Sequence, residues 1–294
     1  SHTSDRERGQ IYIGSVNWVM LVGVVLLVLE FRSSSALAAA YGIAVSGTMI
    51  ITTILAMVVA QRADSAWRAP TLAVLAVLGS LEVFFLASNL SKIADGGWFP
   101  LTMGGLIFFL LMTWKKGSKL VAEQRGKLDL PVSGFAASML NEVQRVPGTA
   151  VYLTSDPSLV PSALFHNLKH YHVLHERIVF LNVQTEDVPY VADAHRLAIR
   201  PAGAGLWTMV MHFGFREMPD IPAALAWADE AGLDLDPITT TYFIARSVIQ
   251  DGPGGFTRWR CAVYSWMTRQ AAGAASHYNL PPNRVVELGT QVVL

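Results

Sequence analysis

Long uncharged, apolar runs dominate the first 117 residues of the chain. A helix of about 20 apolar residues, rising 1.5 Å per residue, crosses the roughly 30 Å hydrocarbon core of a bilayer. Tryptophans lie near the ends of these runs, where interfacial aromatic residues are common. The pattern therefore predicts a membrane domain over residues 1–117, with transmembrane helices at about 16–31, 34–61, 70–90 and 98–114.

The hydrophobic pattern changes in the second half of the chain. Residues 118–147 are mixed in character and are interpreted as a linker, whose middle part (119–141) is expected to form one or two helices along the membrane surface. Residues 149–154 and 176–183 have the β-branched and aromatic composition of strands and flank a helical pattern, which favours a parallel pair. Residues 148–294 are thus predicted to form an α/β or α+β domain. Its other predicted elements are helices at 161–171, 221–231 and 256–272, a hairpin of 195–200 with 206–213, and strands at 238–245 and 284–293.

Composition supports this division. Hydrophobic residues make up 52% of the 294 residues and charged residues only 15%, whereas a soluble domain usually carries about 25% charged residues. The formal net charge is zero, so nothing indicates nucleic-acid binding. Cys261 is the single cysteine, which excludes an internal disulfide.

Lysine and arginine are distributed unevenly around the predicted spans. Positive charge concentrates in cytoplasmic loops. The side with more positive charge is therefore predicted to be cytoplasmic, together with everything after Lys115. That side carries Arg6, Arg8, Arg62, Arg68, Lys115, Lys116 and Lys119, and the other side carries Arg32 and Lys92.

The second predicted span is rich in small residues. Ala, Gly and Ser dominate residues 36–48, and such residues let helix backbones approach closely. At about 100° per residue, Tyr41, Thr48 and Thr52 share a narrow arc of one helix face, whereas Ser46 lies well off it. Glycines in this span could free carbonyl groups for a cation, as broken helices do in transporters. Plain helix packing, with hydroxyls bonding back to the preceding turn, explains the same pattern equally well.

Glu82 is the one ionisable residue deep within a predicted span. A charged side chain at that depth costs about 3 kcal/mol or more, so an intramembrane carboxyl suggests a function. Such a group can stay protonated or exchange a proton during a transport cycle. The alternative is that Glu82 faces a polar cavity or pairs with a neighbouring helix.

Four histidines, His166, His170, His172 and His175, lie close together in the second half. His166 and His170 have the i, i+4 spacing of a zinc pair, but Asn167 stands where the metalloprotease motif needs glutamate. No cysteine cluster or carboxylate set accompanies them in the sequence, so a packing or pH-responsive role is favoured. No nucleophile motif marks an enzyme. The sequence therefore predicts no metal site, no cofactor and no enzymatic activity.

Short motifs stand out in order along nearly the whole chain. In the first half they are GQIYI (9–13) followed by Asn17 and Trp18, AAAYGIAVSGTM (38–49) and GGWFPL (96–101). In the second half they are RVPGTAVYL (145–153), HNLKH (166–170), VLHER (173–177) and PPNRVVELGTQV (281–292). Together these motifs resemble those of the Kup/HAK/KT potassium uptake permeases, and most closely the bacterial Kup branch.

This resemblance implies a twelve-span permease with both termini in the cytoplasm. Its core is similar to the APC/LeuT-like architecture of amino-acid and polyamine transporters, and the four spans here would be the last four. The chain starts without methionine and is expected to be a C-terminal fragment. The resemblance also implies the inner (plasma) membrane and a cytoplasmic C-terminal domain. It is compatible with a homodimer and with a small regulatory ligand, such as a nucleotide second messenger, on that domain.

The resemblance also bears on individual residues. Tyr41 matches a tyrosine of the tenth span that contributes to the cation site in related permeases. Ser46 and Thr48 are added as K⁺ pathway candidates from motif and geometry. Glu82 stands where relatives have an acidic residue and is the candidate for proton coupling. The other K⁺ ligands of the family lie mostly in spans that precede this stretch.

Two functions are compatible with these features. The first is secondary active potassium transport into the cell, by K⁺/H⁺ symport. The second is a membrane-anchored regulatory or sensor protein whose cytoplasmic domain binds a ligand. The hydroxyl groups of the second span and Glu82 favour transport, because an anchor needs only apolar residues. The expected partners are K⁺, H⁺ and the lipid bilayer, without nucleic acid.

Overall fold

The computed structural model divides the chain into two compact units. The helical unit is Ile13–Met112, and the α/β unit combines Ser1–Tyr12 with Thr113–Leu294. The described residues are 3–63, 66–126, 130–138, 143–225, 227–230, 233, 235–236, 239–250, 252, 255–271 and 273–293.

Four long apolar helices begin in the helical unit. All four are long and apolar enough to cross a membrane. The first three begin and end within two residues of the predicted spans at 16–31, 34–61 and 70–90. The helices are α1 (Gly14–Phe31), α2 (Ser34–Arg62), α3 (Arg68–Leu90) and α4 (Trp98–Gly126).

A π-helical turn, Ile93–Gly97, joins α3 to α4. Gly96 in this turn has φ +133°, a conformation that side-chain-bearing residues rarely adopt. A Cβ at Gly96 would also lie 2.6 Å from the carbonyl oxygen of Ala36 in α2. The GGWFPL motif therefore begins with a glycine that the backbone geometry and the contact with α2 both require.

The segment predicted as a linker, 118–147, contains helical residues, as the mixed composition of its middle part predicts. Helix α4 continues beyond residue 114, the predicted end of the fourth span, and Lys119 pairs with Glu123 one turn later at 3.7 Å. A short helix, α5 (Val132–Ser138), and the start of the first strand occupy most of the remainder. Residues 127–129 and 139–142 of the predicted linker lie outside the described residues.

A six-stranded sheet forms the centre of the α/β unit. The strand order is β3–β4–β2–β1–β5–β6, and all neighbours are parallel except β3 and β4. The structure thus contains the predicted parallel pair and the predicted hairpin, and it decides for α/β over α+β. The strands are β1 (Gln144–Leu153), β2 (Val173–Glu186), β3 (Leu197–Gly203), β4 (Leu206–Gly214), β5 (Thr241–Gln250) and β6 (Val285–Val293).

Helices cover both faces of this sheet. The predicted helix at 221–231 is two shorter helices, with residues 226 and 231 outside the described part of the chain. The predicted strand at 238–245 is β5, which starts later and runs further than expected. The helices of the α/β unit after α5 are α6 (Ser162–Tyr171), α7 (Ile221–Leu225), α8 (Trp227–Glu230), α9 (Arg258–Gln270) and α10 (Ala274–His277).

The core of the α/β unit lies on both faces of the sheet, because successive side chains of a strand point in opposite directions. In β1, Val151 packs in the cluster that contains Ile221 of α7, and Tyr152 packs in the cluster that contains Leu164 of α6. Burial raises the pKa of Tyr152, whose hydroxyl accepts a hydrogen bond from Asn167 Nδ2 at 3.1 Å. The sheet is therefore covered by a packed apolar layer on each face.

Candidate functional site

Helices α2 and α3 border a cavity of about 410 Å³ in the helical unit. The lining residues of α2 recur at the three- and four-residue spacing of one helix face, as the arc of Tyr41, Thr48 and Thr52 predicts. Helix α3 contributes Glu82. Three of the predicted site residues, Tyr41, Thr48 and Glu82, therefore meet at one cavity. Its lining is Tyr41, Ala44, Val45, Thr48, Met49, Thr52, Thr53 and Glu82.

Glu82 is the chemically distinctive group of this cavity. Its Oε1 accepts a hydrogen bond from Thr53 Oγ1 at 2.9 Å. Its Oε2 is buried and has no hydrogen-bond partner within the described residues. An unpartnered buried oxygen is costly, by roughly 1–3 kcal/mol. The carboxyl group of Glu82 therefore combines one hydrogen-bonded oxygen with one buried oxygen that has no partner among the described residues.

The hydroxyl groups of α2 are bonded along their own helix. Thr48 Oγ1 donates to Ala44 O at 2.8 Å, and Thr52 Oγ1 donates to Thr48 O at 2.9 Å. This is the back-bonding expected from plain packing, but each oxygen keeps lone pairs for a cation. Tyr41 is 72% exposed, so the cavity opens beside it.

Ser46 does not reach the cavity. It lies 4% exposed on the side of α2 that packs against α3, where its Oγ donates to Gly42 O at 2.6 Å. Asn89 Nδ2 of α3 donates to Gly42 O at 3.2 Å and approaches Ser46 Oγ at 3.5 Å. Ser46 therefore lies outside the lining of this cavity, as its position on the helical period indicated, and its place on the K⁺ pathway stays a prediction. Helix α2 also runs unbroken from Ser34 to Arg62, without the local opening considered at its glycines.

Thr53 and Asn89 are polar contacts that the sequence analysis did not single out. Asn89 follows Glu82 by seven residues, which places both on the same face of α3. Thr53 lies opposite Glu82 because α2 and α3 run antiparallel. The heptad spacing could have identified Asn89. The pairing of Thr53 with Glu82 required the register between the helices.

The histidine cluster is dispersed in the α/β unit. His166 Nε2 contacts Thr290 Oγ1 of β6 at 3.3 Å. His175 packs edge-on against Phe243, with 6.0 Å between ring centroids, and burial lowers its pKa. Within the described residues, no group of three or more His, Cys, Asp or Glu side chains is arranged to hold a metal ion.

A charged cluster near the ends of β2 and β4 was not identified from sequence. Arg196 donates from Nη2 to Glu217 Oε1 at 2.5 Å, and the backbone amides of Gly214 and Val191 donate to Glu217 Oε2. Burial raises the pKa of Glu217, but these hydrogen bonds outweigh it and lower the pKa below its ordinary value. The cluster therefore holds a carboxylate that is charged at neutral pH and largely enclosed.

Two protein-family models match the chain. The model described as the K⁺ potassium transporter integral membrane domain matches residues 1–119. The model described as the K⁺ potassium transporter C-terminal domain matches residues 147–294. Together with the four membrane-capable helices and the α/β unit, these matches define a membrane protein of the potassium transporter class.

Curated bacterial proteins are similar to the chain along nearly all of its length. The probable potassium transport system protein Kup of Pseudomonas aeruginosa (strain LESB58) is 47% identical over 296 residues, covering 99% of this chain and 46% of that protein. The probable potassium transport system protein Kup 3 of Dechloromonas aromatica is 46% identical over 298 residues, covering 100% of this chain and 47% of that protein. The chain therefore belongs to the Kup/HAK family of potassium transporters. It spans about half the length of the curated relatives that it matches.

Proposed function

We propose that the chain is part of a secondary active system that takes up K⁺ together with H⁺. Its family membership and its four membrane-capable helices support a transporter. The relatives with 46–47% identity are named as probable potassium transport system proteins. Transport of this kind is not an enzymatic reaction and requires no cofactor.

One observation carries the proposed ion coupling. Glu82 places a buried, unpartnered carboxyl oxygen on the wall of the cavity that Tyr41 and Thr48 also line. Intramembrane acidic residues commonly mark ion pathways and proton relays. A proton on Oε2 would neutralise the carboxyl when no cation is near, and its release would leave a charge that attracts K⁺.

The hydroxyl groups of Tyr41 and Thr48 are the proposed K⁺ contacts on this wall. Potassium is bound in proteins by arrays of oxygen atoms that replace its hydration shell. These two oxygens alone do not complete such an array. We therefore propose that the remaining ligands come from other spans of the same transporter, as in an APC/LeuT-like arrangement in which α1 to α4 are the last four spans.

The proposed location is the inner membrane, with the α/β unit in the cytoplasm. The excess of lysine and arginine beside the predicted spans supports this orientation. A homodimer remains a prediction from the family resemblance. The second candidate function, a membrane-anchored ligand sensor, is supported by a cavity of about 590 Å³ in the α/β unit, and it is compatible with transport.

Complementation tests the proposed transport. The complete reading frame that contains this chain should restore growth of a K⁺-uptake-deficient bacterium at low external K⁺ and should support Rb⁺ uptake. Adding K⁺ to energy-depleted cells should draw H⁺ inward, measured as a rise in external pH. Normal membrane expression without growth rescue and without Rb⁺ uptake would overturn the proposal. Rescue without any proton movement would overturn the symport alone.

A further inference from the structure

Helix α9 of the α/β unit packs against the turns of α4 that begin at Thr113. Arg260 Nε of α9 donates to Thr113 Oγ1 at 3.1 Å. The rings of Trp114 and Tyr264 lie 5.7 Å apart, and Gly117 lies against the same tyrosine ring. The fourth predicted span ends at residue 114. Helix α9 therefore contacts α4 at the point where α4 is expected to leave the hydrocarbon core of the bilayer.

The face of α9 that is turned away from this contact carries aromatic and basic side chains. Trp259 is 60% exposed and Trp266 is 55% exposed. At about 100° per residue, the two tryptophans lie about 20° apart around the helix. Arg258 and Arg269 are also exposed and fall within the same arc of about 100°. The buried residues of α9 lie on the other side of the helix, so this face is continuous.

Such a face is typical of a helix that lies in the interface between a membrane and water. Tryptophan is enriched in that region because its ring is apolar whereas its N–H can bond to headgroups or water. The guanidinium group of arginine binds phosphate oxygens in bidentate geometry. The sequence of α9 contains no Asp or Glu. No side chain of the helix itself therefore repels an anionic surface.

The adjoining turns of α4 add further positive charge. Lys115, Lys116 and Lys119 follow the end of the fourth predicted span, and Glu123 is the one acidic residue of the sequence from 113 to 126. Lys116 Nζ donates to Gly255 O at 3.1 Å, in the segment that leads into α9. Basic clusters next to a membrane span are attracted to anionic lipid headgroups. The charge of this region therefore complements an anionic bilayer.

We propose that the exposed face of α9 docks on the bilayer surface and binds the headgroups of anionic phospholipids. Trp259 and Trp266 lie among the headgroups and the upper acyl chains, and Arg258 and Arg269 bind lipid phosphates. This contact goes beyond the proposed transport and requires only that α4 crosses the membrane. It can therefore fail while transport is confirmed, and the reverse also holds.

Spin labelling of the complete transporter in lipid nanodiscs tests the docking surface. Ala262→Cys, in a background without other cysteines, places a nitroxide on the exposed face between its arginines and tryptophans. Met218→Cys is the reference, because Met218 is 90% exposed elsewhere on the α/β unit. The label's accessibility to oxygen, which dissolves in lipid, is compared with its accessibility to a neutral, water-soluble nickel chelate. The nanodiscs contain phosphatidylcholine alone or a mixture with phosphatidylglycerol.

Lipid contact predicts a high ratio of oxygen to nickel accessibility. In the mixed nanodiscs, we expect the ratio at position 262 to exceed that at position 218 by about fivefold or more. Equal ratios at the two positions would overturn the proposal. Low accessibility to both reagents would also overturn it, because a second copy or another span of the transporter would then cover α9. A ratio that does not depend on phosphatidylglycerol would overturn the assignment to anionic headgroups.

Charge variants locate the headgroups. Arg258→Gln combined with Arg269→Gln should lower the ratio at the nitroxide at least about twofold in mixed nanodiscs, because one basic side chain near an anionic surface is worth about fivefold in affinity. The ratio in phosphatidylcholine should stay unchanged. Lys169→Gln combined with Arg200→Gln is the matched control, because it removes two exposed positive charges from other elements. An equal fall in both double variants would report net charge alone and overturn the placement of the headgroups at α9.

Discussion

At the scale of single residues, Glu82 is the group whose chemistry is easiest to isolate. Glu82→Gln keeps the acceptor for Thr53 but removes the ionisable oxygen. In the complete transporter, we expect the variant to lose most of the dependence of Rb⁺ uptake on external pH, because no proton can then leave this position. Glu30→Gln is the control, since Glu30 is exposed near the end of α1. A pH profile identical to that of the wild type would exclude Glu82 from proton coupling.

Tyr41 is expected to act on affinity. Tyr41→Ala removes one oxygen and the ring from the cavity wall, and the KM for K⁺ should rise roughly two- to tenfold, the effect of losing one hydrogen-bond-sized contact. Ile51→Ala on the same helix serves as the control, because Ile51 is exposed but does not line the cavity. Initial rates of Rb⁺ uptake over a range of concentrations give the comparison. An unchanged KM would remove Tyr41 from the ion pathway.

Glu217 should make the α/β unit sensitive to acid. Because its pKa is lowered in the folded protein, it stabilises the fold above its ordinary pKa of 4.5, and this contribution is lost as the pH falls below that value. Glu217→Gln should lower the free energy of unfolding by roughly 1–3 kcal/mol at pH 7, and the difference from the wild type should shrink below pH 4.5. Asp193→Asn removes the exposed partner of Arg196 and should cost less. Urea unfolding at pH 7 and below pH 4.5 measures the free energy of unfolding of the wild type and of each variant. A difference between the wild type and Glu217→Gln that grows at the lower pH would contradict the prediction.

At the scale of elements, the sequence pattern predicted those helices and strands whose positions depend on residues close together in the chain. The apolar runs predicted the bounds of α1, α2 and α3 to within two residues, and the strand–helix–strand pattern predicted the parallel β1–β2 pair. Helix α4 continues past residue 114, where the charged residues were interpreted as the end of the membrane span. These residues remain helical because their other face packs on distant parts of the chain, including Tyr264. No local signal reports such a contact.

Gly117 shows how close this packing is. A Cβ at Gly117 would lie 2.4 Å from the ring of Tyr264, in the part of α4 that belongs to the α/β unit. Gly117→Leu should therefore destabilise the unit by about 1–3 kcal/mol, as overpacking does. Gly104→Leu on the same helix is the control, because an added Cβ there meets no described atom within 4 Å. Protease susceptibility and the melting temperature of the purified chain report the effect. Equal melting temperatures for the two variants would show that the Tyr264 ring can move away from residue 117 without a loss of stability.

At the scale of the whole molecule, the family resemblance located the candidate residues but not their partners. The cavity joins Tyr41 to Glu82 through the register of α2 against α3. The cavity of about 590 Å³ in the α/β unit brings Asp156, Asn182 and Tyr278 together through the order of the strands. Both depend on contacts between segments that are far apart in sequence. A pattern of spacing cannot supply them, which is why Thr53 was overlooked.

The orientation of the whole protein can be tested through single cysteines. Cys261 is the single cysteine of the chain and is buried. Cys261→Ala removes it, so that one reporter cysteine at a time can be introduced elsewhere. Met218→Cys lies on the α/β unit, where Met218 is 90% exposed, and Ser33→Cys lies between α1 and α2. The uneven distribution of lysine and arginine predicts that an impermeant maleimide labels Ser33→Cys in spheroplasts and labels Met218→Cys only after lysis. The reverse pattern would place the α/β unit outside the cytoplasm.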